Sequence, residues 1–408
     1  MTLTRASVVI VSRGRPETLA LCLAGVARLR NAEYEVIVVA DSKGIEAAQA
    51  LPFSTHLKLV RFDRANISEA RNLGVAEAAG DVVAFIDDDA VPEPRWLEHL
   101  VRPFEDARVA ATGGFVRGRN GISFQWKARV VDATGRAYPA RVDEERATIL
   151  TPPQGRAVKT EGTNMAVRRD LLAGMGGFDP AYRFFLDETD LNMRLAKAGH
   201  ATAIVPMAEV HHAYAPSVRR TADRAVTDLH EIGASKMVFL RKHCPDQALW
   251  PGLIDEMRRA EKRRLLQQMV DGRAEPRDVR ITLAGFDAGV EEGRTRPVVP
   301  AVPIPAPPRG FQQFPSRATG QVEILAGRIW SRGRLQREAA RRAKDGATVS
   351  LYVFSHTALY HSVRFLPNGV WYQRGGLWGR SAREDPVWQW WRFSNRVERE
   401  SGRSAHCR

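Results

Sequence analysis

The chain has 408 residues, 44% of them apolar and 26% charged, which is enough to bury one large core or two ordinary ones. That excludes a wholly disordered chain and a small disulfide-stapled scaffold. Lys and Arg exceed Asp and Glu by 61 to 47, a formal +14, so an anionic partner has to be considered. The excess is unevenly placed. From residue 309 onward there are 18 basic and 7 acidic side chains, an excess of 11 that leaves only +3 for the first 308 residues. The three cysteines, Cys22, Cys244 and Cys407, are too scattered for a zinc site or a redox dithiol, and they point to a reducing compartment. No apolar run reaches the ~18 residues needed to span a bilayer, so a cytoplasmic protein is expected, with contact at a membrane surface still open.

In chain order, residues 7–12 (SVVIVS) form a short apolar run typical of a buried parallel strand. Pro16 then opens a helix with Leu19, Leu23, Val26 and Leu29 at helical spacing. Residues 35–41 and 57–62 give the second and third strands, and residues 68–79 a helix closed by Gly80. Residues 82–86 form a fourth strand that runs into Asp87-Asp88-Asp89. This alternation predicts an α/β domain with a mostly parallel sheet, whose ligands bind at the carboxyl ends of the strands. Asp41 and the Asp87 to Asp89 run stand at such ends.

Residues 95–159 are less regular. Order returns at residues 163–167, followed by Gly176-Gly177-Phe178-Asp179, a helix at 187–198, a strand at 201–205 leading to His211-His212, and helical text from 221 to 270. The Pro-rich residues 296–308 read as a linker. Beyond it lie a strand at 349–354 and six of the nine tryptophans. The division expected is 1–245 for a catalytic domain, 246–295 for a helical extension, 296–320 for the linker, and 321–408 for a basic, Trp-rich module of uncertain fold.

Two carboxylates at i and i+2 after a buried strand can share a divalent cation and the diphosphate it carries, since Mg2+ and Mn2+ prefer oxygen ligands. The order and spacing of several strings resemble family 2 glycosyltransferases. They are residues 7–12, residues 38–42, Ala70-Arg71-Asn72-Leu73-Gly74, residues 80–89, Gly176-Gly177-Phe178-Asp179, and Asp187-Glu188-Thr189-Asp190-Leu191-Asn192-Met193-Arg194-Leu195. Together they span about residues 5–245.

The resemblance implies a GT-A fold, a nucleoside-diphosphate sugar as donor and transfer with inversion to a hydroxyl acceptor, in polysaccharide or glycoconjugate biosynthesis. It places Asp41 at the nucleobase and Arg71 at the nucleotide. Asp87 falls at the ribose or metal, with Asp88 beside it, and Asp89 on Mn2+ or Mg2+. His211, with His212 as the alternative, would complete the metal site. Ser12 and Arg13 stand at the donor contacts, in Val11-Ser12-Arg13-Gly14 where the family commonly has Pro-Thr-Tyr-Asn. The usual Glu-Asp pair appears as Asp187-Glu188, so Glu188 takes the place of the base, with Asp187 able to act instead.

The implied partners are a nucleotide sugar and a saccharide or lipid-linked acceptor. The basic tail could touch a membrane peripherally, or its tryptophans could pack within their own module. Two other classes compete. A nucleic-acid-binding protein would use the basic tail, but no helix-turn-helix, zinc-finger or RNP-like signature accompanies it. A sugar-nucleotide pyrophosphorylase would need a Gly-rich basic loop after the first strand, which Ser12-Arg13-Gly14-Arg15 matches poorly.

Overall fold

The computed structural model describes residues 4–213, 219, 221, 223 and 225–408. The first half alternates as the hydrophobic text predicts: β1 (Ala6–Ser12), α1 (Pro16–Val26), β2 (Tyr34–Ala40), α2 (Ser42–Gln49), β3 (Leu57–Arg61), α3 (Ile67–Glu77) and β4 (Val82–Asp87). The chain continues through β5 (Ala90–Pro92), α4 (Trp96–Val101), β6 (Val109–Arg117) and five short strands. These are β7 (Phe124–Trp126), β8 (Arg129–Asp132), β9 (Ala137–Pro139), β10 (Thr148–Leu150) and β11 (Arg156–Lys159). Next come β12 (Met165–Arg168), α5 (Arg169–Gly174), α6 (Asp187–Lys197) and β13 (Ala201–His212).

The main sheet has the order β10-β13-β6-β12-β4-β1-β2-β3. β3, β2, β1 and β4 run parallel. β12 is antiparallel to both β4 and β6, so β6 and β13 regain the direction of the parallel strands. Both faces are covered: Val8 and Ile10 of β1 pack with Leu19 and Leu23 of α1, while Val9 points the other way toward Phe85, Phe178 and Leu191. A strand buried on both faces needs no polar alternation, which is why its sequence is a continuous apolar run. Each such side chain contributes about 1.5–3 kcal/mol.

The irregular region 95–159 is folded rather than loose. β8, β9 and β11 form a small sheet of their own, β10 lies at the edge of the main sheet beside β13, and β7 pairs with the far end of β6. The helical text resolves into α7 (His230–His243), α8 (Trp250–Val270) and α9 (Pro276–Thr295), while residues 222 and 224 lie outside the described residues. α7 packs on α9 so closely that a Cβ on Gly289 would fall 1.9 Å from the carbonyl oxygen of His230. The boundary drawn at residue 245 therefore separates two helices that share one core, built on Leu229, Met237, Leu240 and Phe286.

The Pro-rich stretch is also not a free linker. Ile304 donates its N–H to Ala173, Phe314 donates to Tyr34 and stacks on its ring at 5.4 Å, and Arg317 donates to Ala27. It is a strap laid along the first domain, from α5 past β2 to the end of α1. The C-terminal module that follows contains β14 (Val322–Arg328), α10 (Arg332–Lys344), β15 (Thr348–Ser355), β16 (Ser362–Phe365), β17 (Val370–Gly376) and α11 (Phe393–Ser404). Its sheet has the order β14-β15-β17-β16. It docks on the first domain through Val363, Phe365 and Trp371, which pack with Val91 and Ile122. No helix among the described residues is long and apolar enough to cross a membrane.

Candidate functional site

β4 delivers Asp87 to the carboxyl edge of the sheet, and the tight step into β5 places Asp88 and Asp89 directly after it. Their side chains separate by direction. Asp88 is fully buried, accepts a hydrogen bond from the Ser12 hydroxyl at 2.6 Å, and is met by Arg15 at 2.5 Å. Burial pushes the Asp88 carboxyl up to about 7, with Arg15 opposing the shift and Asp89 adding to it. Asp88 thus forms part of the floor, tying β4 to the end of β1. Asp87 and Asp89 turn instead toward His212. Nε2 of His212 lies 3.2 Å from Asp89 and 4.0 Å from Asp87, and one ligand atom from each of the three residues falls within 4.8 Å of the others.

The histidine is therefore His212 and not His211. Successive residues of a strand face opposite sides, and the pairing of His212 with Ala90 sets it beside Asp89. His211 faces the C-terminal module, where its Nε2 bonds Glu93 at 2.8 Å and its ring lies 4.7 Å from Trp371. A register shift in β13 between Val205 and Val210 sets this end of the strand. Asn164 holds it by donating to the carbonyls of Ala208 and Phe115. Gly114 is required there, because a Cβ would meet the Ala208 carbonyl at 1.9 Å. Burial works against a charged His212, but Asp89 and Asp87 outweigh it and raise its pKa.

The second cluster stands at the start of α6. Two consecutive non-glycine residues, Phe185 (φ 72°) and Leu186 (φ 65°), adopt the left-handed conformation that turns the chain into this helix. Such backbone costs on the order of 1 kcal/mol per residue and concentrates at functional sites. It presents Asp187 and Glu188 in the first turn, where the helix dipole favours negative charge. Asp187 is ion-paired with Arg71, whose other nitrogen lies 3.4 Å from Asp87. Glu188 bonds Lys159 at 2.8 Å, and Lys159 also bonds the Thr189 hydroxyl at 3.0 Å. Burial raises the Asp187 carboxyl despite Arg71, whereas burial of Glu188 is outweighed by Lys159, which holds it low, at about 2. Asp190, in the same turn, pairs with Arg194 at 2.9 Å, an ordinary i, i+4 ion pair.

The remaining predicted donor contacts lie along the same edge. Asp41 accepts from the backbone N–H of Gly14 at 2.8 Å and of Gly44 at 2.9 Å, capping α2 and fixing the turn after β1. Arg13 is exposed, with Nε 3.4 Å from the Asp63 carbonyl. Sequence reasoning missed Arg15, Lys159 and Gln125. Arg15 follows a strand end, as donor-binding residues do, and could have been suspected. Lys159 and Gln125 lie in the irregular region, and nothing in their local text marks them. Gln125 meets His212 Nδ1 at 3.1 Å, with Trp126 tilted against the same ring at 5.9 Å.

Residues 7–172 match the model described as Glycosyl transferase family 2. The chain carries a family 2 glycosyltransferase domain. The matched stretch of this domain includes Ser12, Asp41, Arg71 and Asp87 to Asp89, and ends before Asp187 and His212, which the fold brings to the same edge. An N-acetylglucosaminyl-diphospho-decaprenol L-rhamnosyltransferase of Mycobacterium tuberculosis is 42% identical over 173 residues, 36% of this chain and 54% of that protein. A glucosyl-dolichyl phosphate glucuronosyltransferase of Haloferax volcanii is 33% identical over 125 residues, 28% of this chain and 34% of that protein. The chain thus spans between a third and about half of these two relatives. Among solved structures, the mannosyltransferase PcManGT from Pyrobaculum calidifontis, in complex with GDP-Man and Mn2+, covers 72% of this chain and 88% of its own at 17% identity and a TM-score of 0.43.

Proposed function

We propose that this family 2 domain transfers a sugar from a nucleoside-diphosphate donor to a hydroxyl acceptor with inversion, in a single displacement. The observation that carries the reading is one continuous chain of charge: Asp89 and His212 meet Asp87, Asp87 meets Arg71, and Arg71 meets Asp187 beside Glu188. Two carboxylates and an imidazole within 4.8 Å of one another fit a divalent cation that accepts oxygen and nitrogen ligands, Mn2+ or Mg2+. Asp87, Asp89 and His212 would hold it, and it would supply neutralisation of the charge that develops on a diphosphate leaving group.

The protein's own groups set the rest. Asp41 and Arg13 stand just beyond the carboxyl ends of β2 and β1, where the nucleoside would enter, and the Ser12–Asp88 hydrogen bond ties β1 to the end of β4 beside them. Glu188 serves as the base. It is the more accessible of the pair, 16% exposed against 4% for Asp187, and Lys159 keeps it ionised and oriented. Asp187 holds Arg71 in place. Both relatives named above act on polyisoprenyl-linked saccharides by their printed names, which supports a lipid-linked saccharide as acceptor.

The test is binding and slow hydrolysis of a panel of nucleotide sugars with and without Mn2+. A response to one donor that needs the metal and falls roughly 10³-fold in Asp89→Ala is expected, by analogy with loss of a single charge-stabilising group. Silence with every donor, or full activity in Asp89→Ala, would overturn the reading.

A further inference from the structure

The sequence offered two fates for the C-terminal tryptophans, and the structure divides them. Trp371 is buried against Phe365 and His211, and Trp391 packs with Phe393 beside the Phe354 core. The others form a row centred on Trp378, which is half-buried against the same core, and running out to exposed rings on either side. Trp330 contacts His356 at 5.6 Å, His356 contacts Trp378 at 5.9 Å, and Trp378 stacks on Trp390 at 5.4 Å with ring planes 10° apart; Trp388 follows at 6.2 Å. Trp330 is 73% exposed and Trp390 is 70% exposed, and the aliphatic side chains of Ile329, Leu359 and Val387 beside this row are also more than half exposed. A contiguous apolar surface of this kind is what soluble proteins avoid unless something covers it.

Beside the row, at the carboxyl ends of the parallel strands β15 and β17, opens a cleft of about 410 Å3. Ile329 and Leu359 line it together with Tyr360, Tyr372, Arg332 and Arg374. Neither arginine has an acidic partner within ion-pair distance among the described residues. The acidic side chains in and just after α10 are turned elsewhere, Glu338 to Arg341 and Arg342, and Asp345 to Arg341. The same face reaches the catalytic domain where the Tyr360 hydroxyl lies 3.3 Å from that of Ser123, one residue before β7, the strand whose Gln125 holds His212.

Exposed indoles, exposed aliphatic side chains and unneutralised guanidinium groups on one surface complement a bilayer interface, which takes aromatic rings at headgroup level and attracts cations to anionic lipid. We propose that this face of the C-terminal module docks on a membrane containing anionic phospholipid. In the docked protein Arg332 and Arg374 bind headgroup phosphates in the cleft, and Trp330, Trp390, Ile329 and Leu359 enter the interface. The inference deepens the reading of a lipid-linked acceptor, because docking here sets the edge that carries β7 and His212 next to the bilayer.

The full chain would be sedimented with vesicles of phosphatidylcholine alone and of phosphatidylcholine with about 30% phosphatidylglycerol, with salt as a second variable. Selective binding to the anionic vesicles, weakening with salt, is expected. The double substitution Arg332→Gln/Arg374→Gln should lower it about 30-fold, the equivalent of two basic residues leaving an anionic surface. Trp330→Ala/Trp390→Ala should weaken binding and abolish the blue shift of tryptophan fluorescence on vesicles. Nucleoside diphosphate binding with Mn2+, measured on the same proteins, should stay unchanged, so failure of docking and failure of the glycosyltransferase reading would be told apart. No binding, equal binding to neutral vesicles, binding indifferent to both double substitutions, or preference for a soluble saccharide or single-stranded DNA would overturn the proposal.

Discussion

The two acidic clusters of the site are built from the same residue types and differ in how their charge is balanced. At the start of α6 each carboxylate faces a different basic side chain: Arg71 for Asp187 and Lys159 for Glu188. At the end of β4 three carboxylates share Arg15, a histidine and the far end of Arg71. Burial takes the Asp88 carboxyl up to about 7 against the pull of Arg15, and the neighbouring Asp89 and Asp87 add to the rise. The α6 cluster thus meets each carboxylate with a basic side chain, although burial still takes Asp187 up to about 7, while the β4 cluster sets Asp87, Asp89 and His212 close enough to hold a cation. In the proposed reaction one would position a proton acceptor and the other a leaving group, and Arg71 touches both.

The largest effect expected from breaking this contrast falls on the base. Glu188→Gln should lower kcat by roughly 10²–10⁴-fold, the usual contribution of a positioned general base, while Asp187→Asn should cost less. The pH–rate profile sharpens the assignment. A carboxylate held at about 2 by Lys159 is ionised throughout the working range, so with Glu188 as base the rate should show no acidic limb between pH 5 and 8 from this group. An acidic limb near neutrality that vanishes in Asp187→Asn would transfer the role to Asp187. Arg71→Met comes next. It leaves Asp187 and Asp87 without their shared cation and should destabilise the fold by about 3–5 kcal/mol, measured by denaturant unfolding. If Mn2+ restores most of that loss, the two clusters are less separate than drawn here.

Much of the cluster at the end of β4 was legible because strand text and chemistry coincide. Apolar runs at 7–12 and 82–86 locate strand ends, and Asp41 and Asp87 to Asp89 stand at them, so position follows from local pattern. The choice between His211 and His212 was not legible, since it depends on a register shift around Val205 to Val210 that a neighbouring strand and Asn164 impose. Lys159 was missed for the same reason: its meaning comes from α6, 29 residues later. The Pro-rich segment misled because extended polyproline-like backbone reads alike whether it hangs free or, as here, lies along a sheet. Dividing the net charge at that segment located the basic module but not its attachment, which rests on buried ions that look from sequence like surface charge.

That attachment provides the smallest and most direct test of how the two halves join. Glu93 is buried between Arg408, which contacts it at 2.9 Å, and His211. Burial alone would raise its carboxyl, but Arg408 and then His211 outweigh it and bring it from 4.5 to about 2. A carboxylate depressed in the folded state contributes its stability above the unfolded pKa and loses it as pH falls through the folded one. The clasp should therefore be whole above about pH 4.5 and weaken toward pH 2, a change on the order of 3 kcal/mol at 1.36 kcal/mol per unit. Glu93→Gln should remove that part of the acid sensitivity and lower the melting temperature near neutral pH. If it left both untouched, Val363, Phe365 and Trp371 would hold the module without help from charge. His211 would then have no structural role to set against the one that His212 takes across the strand.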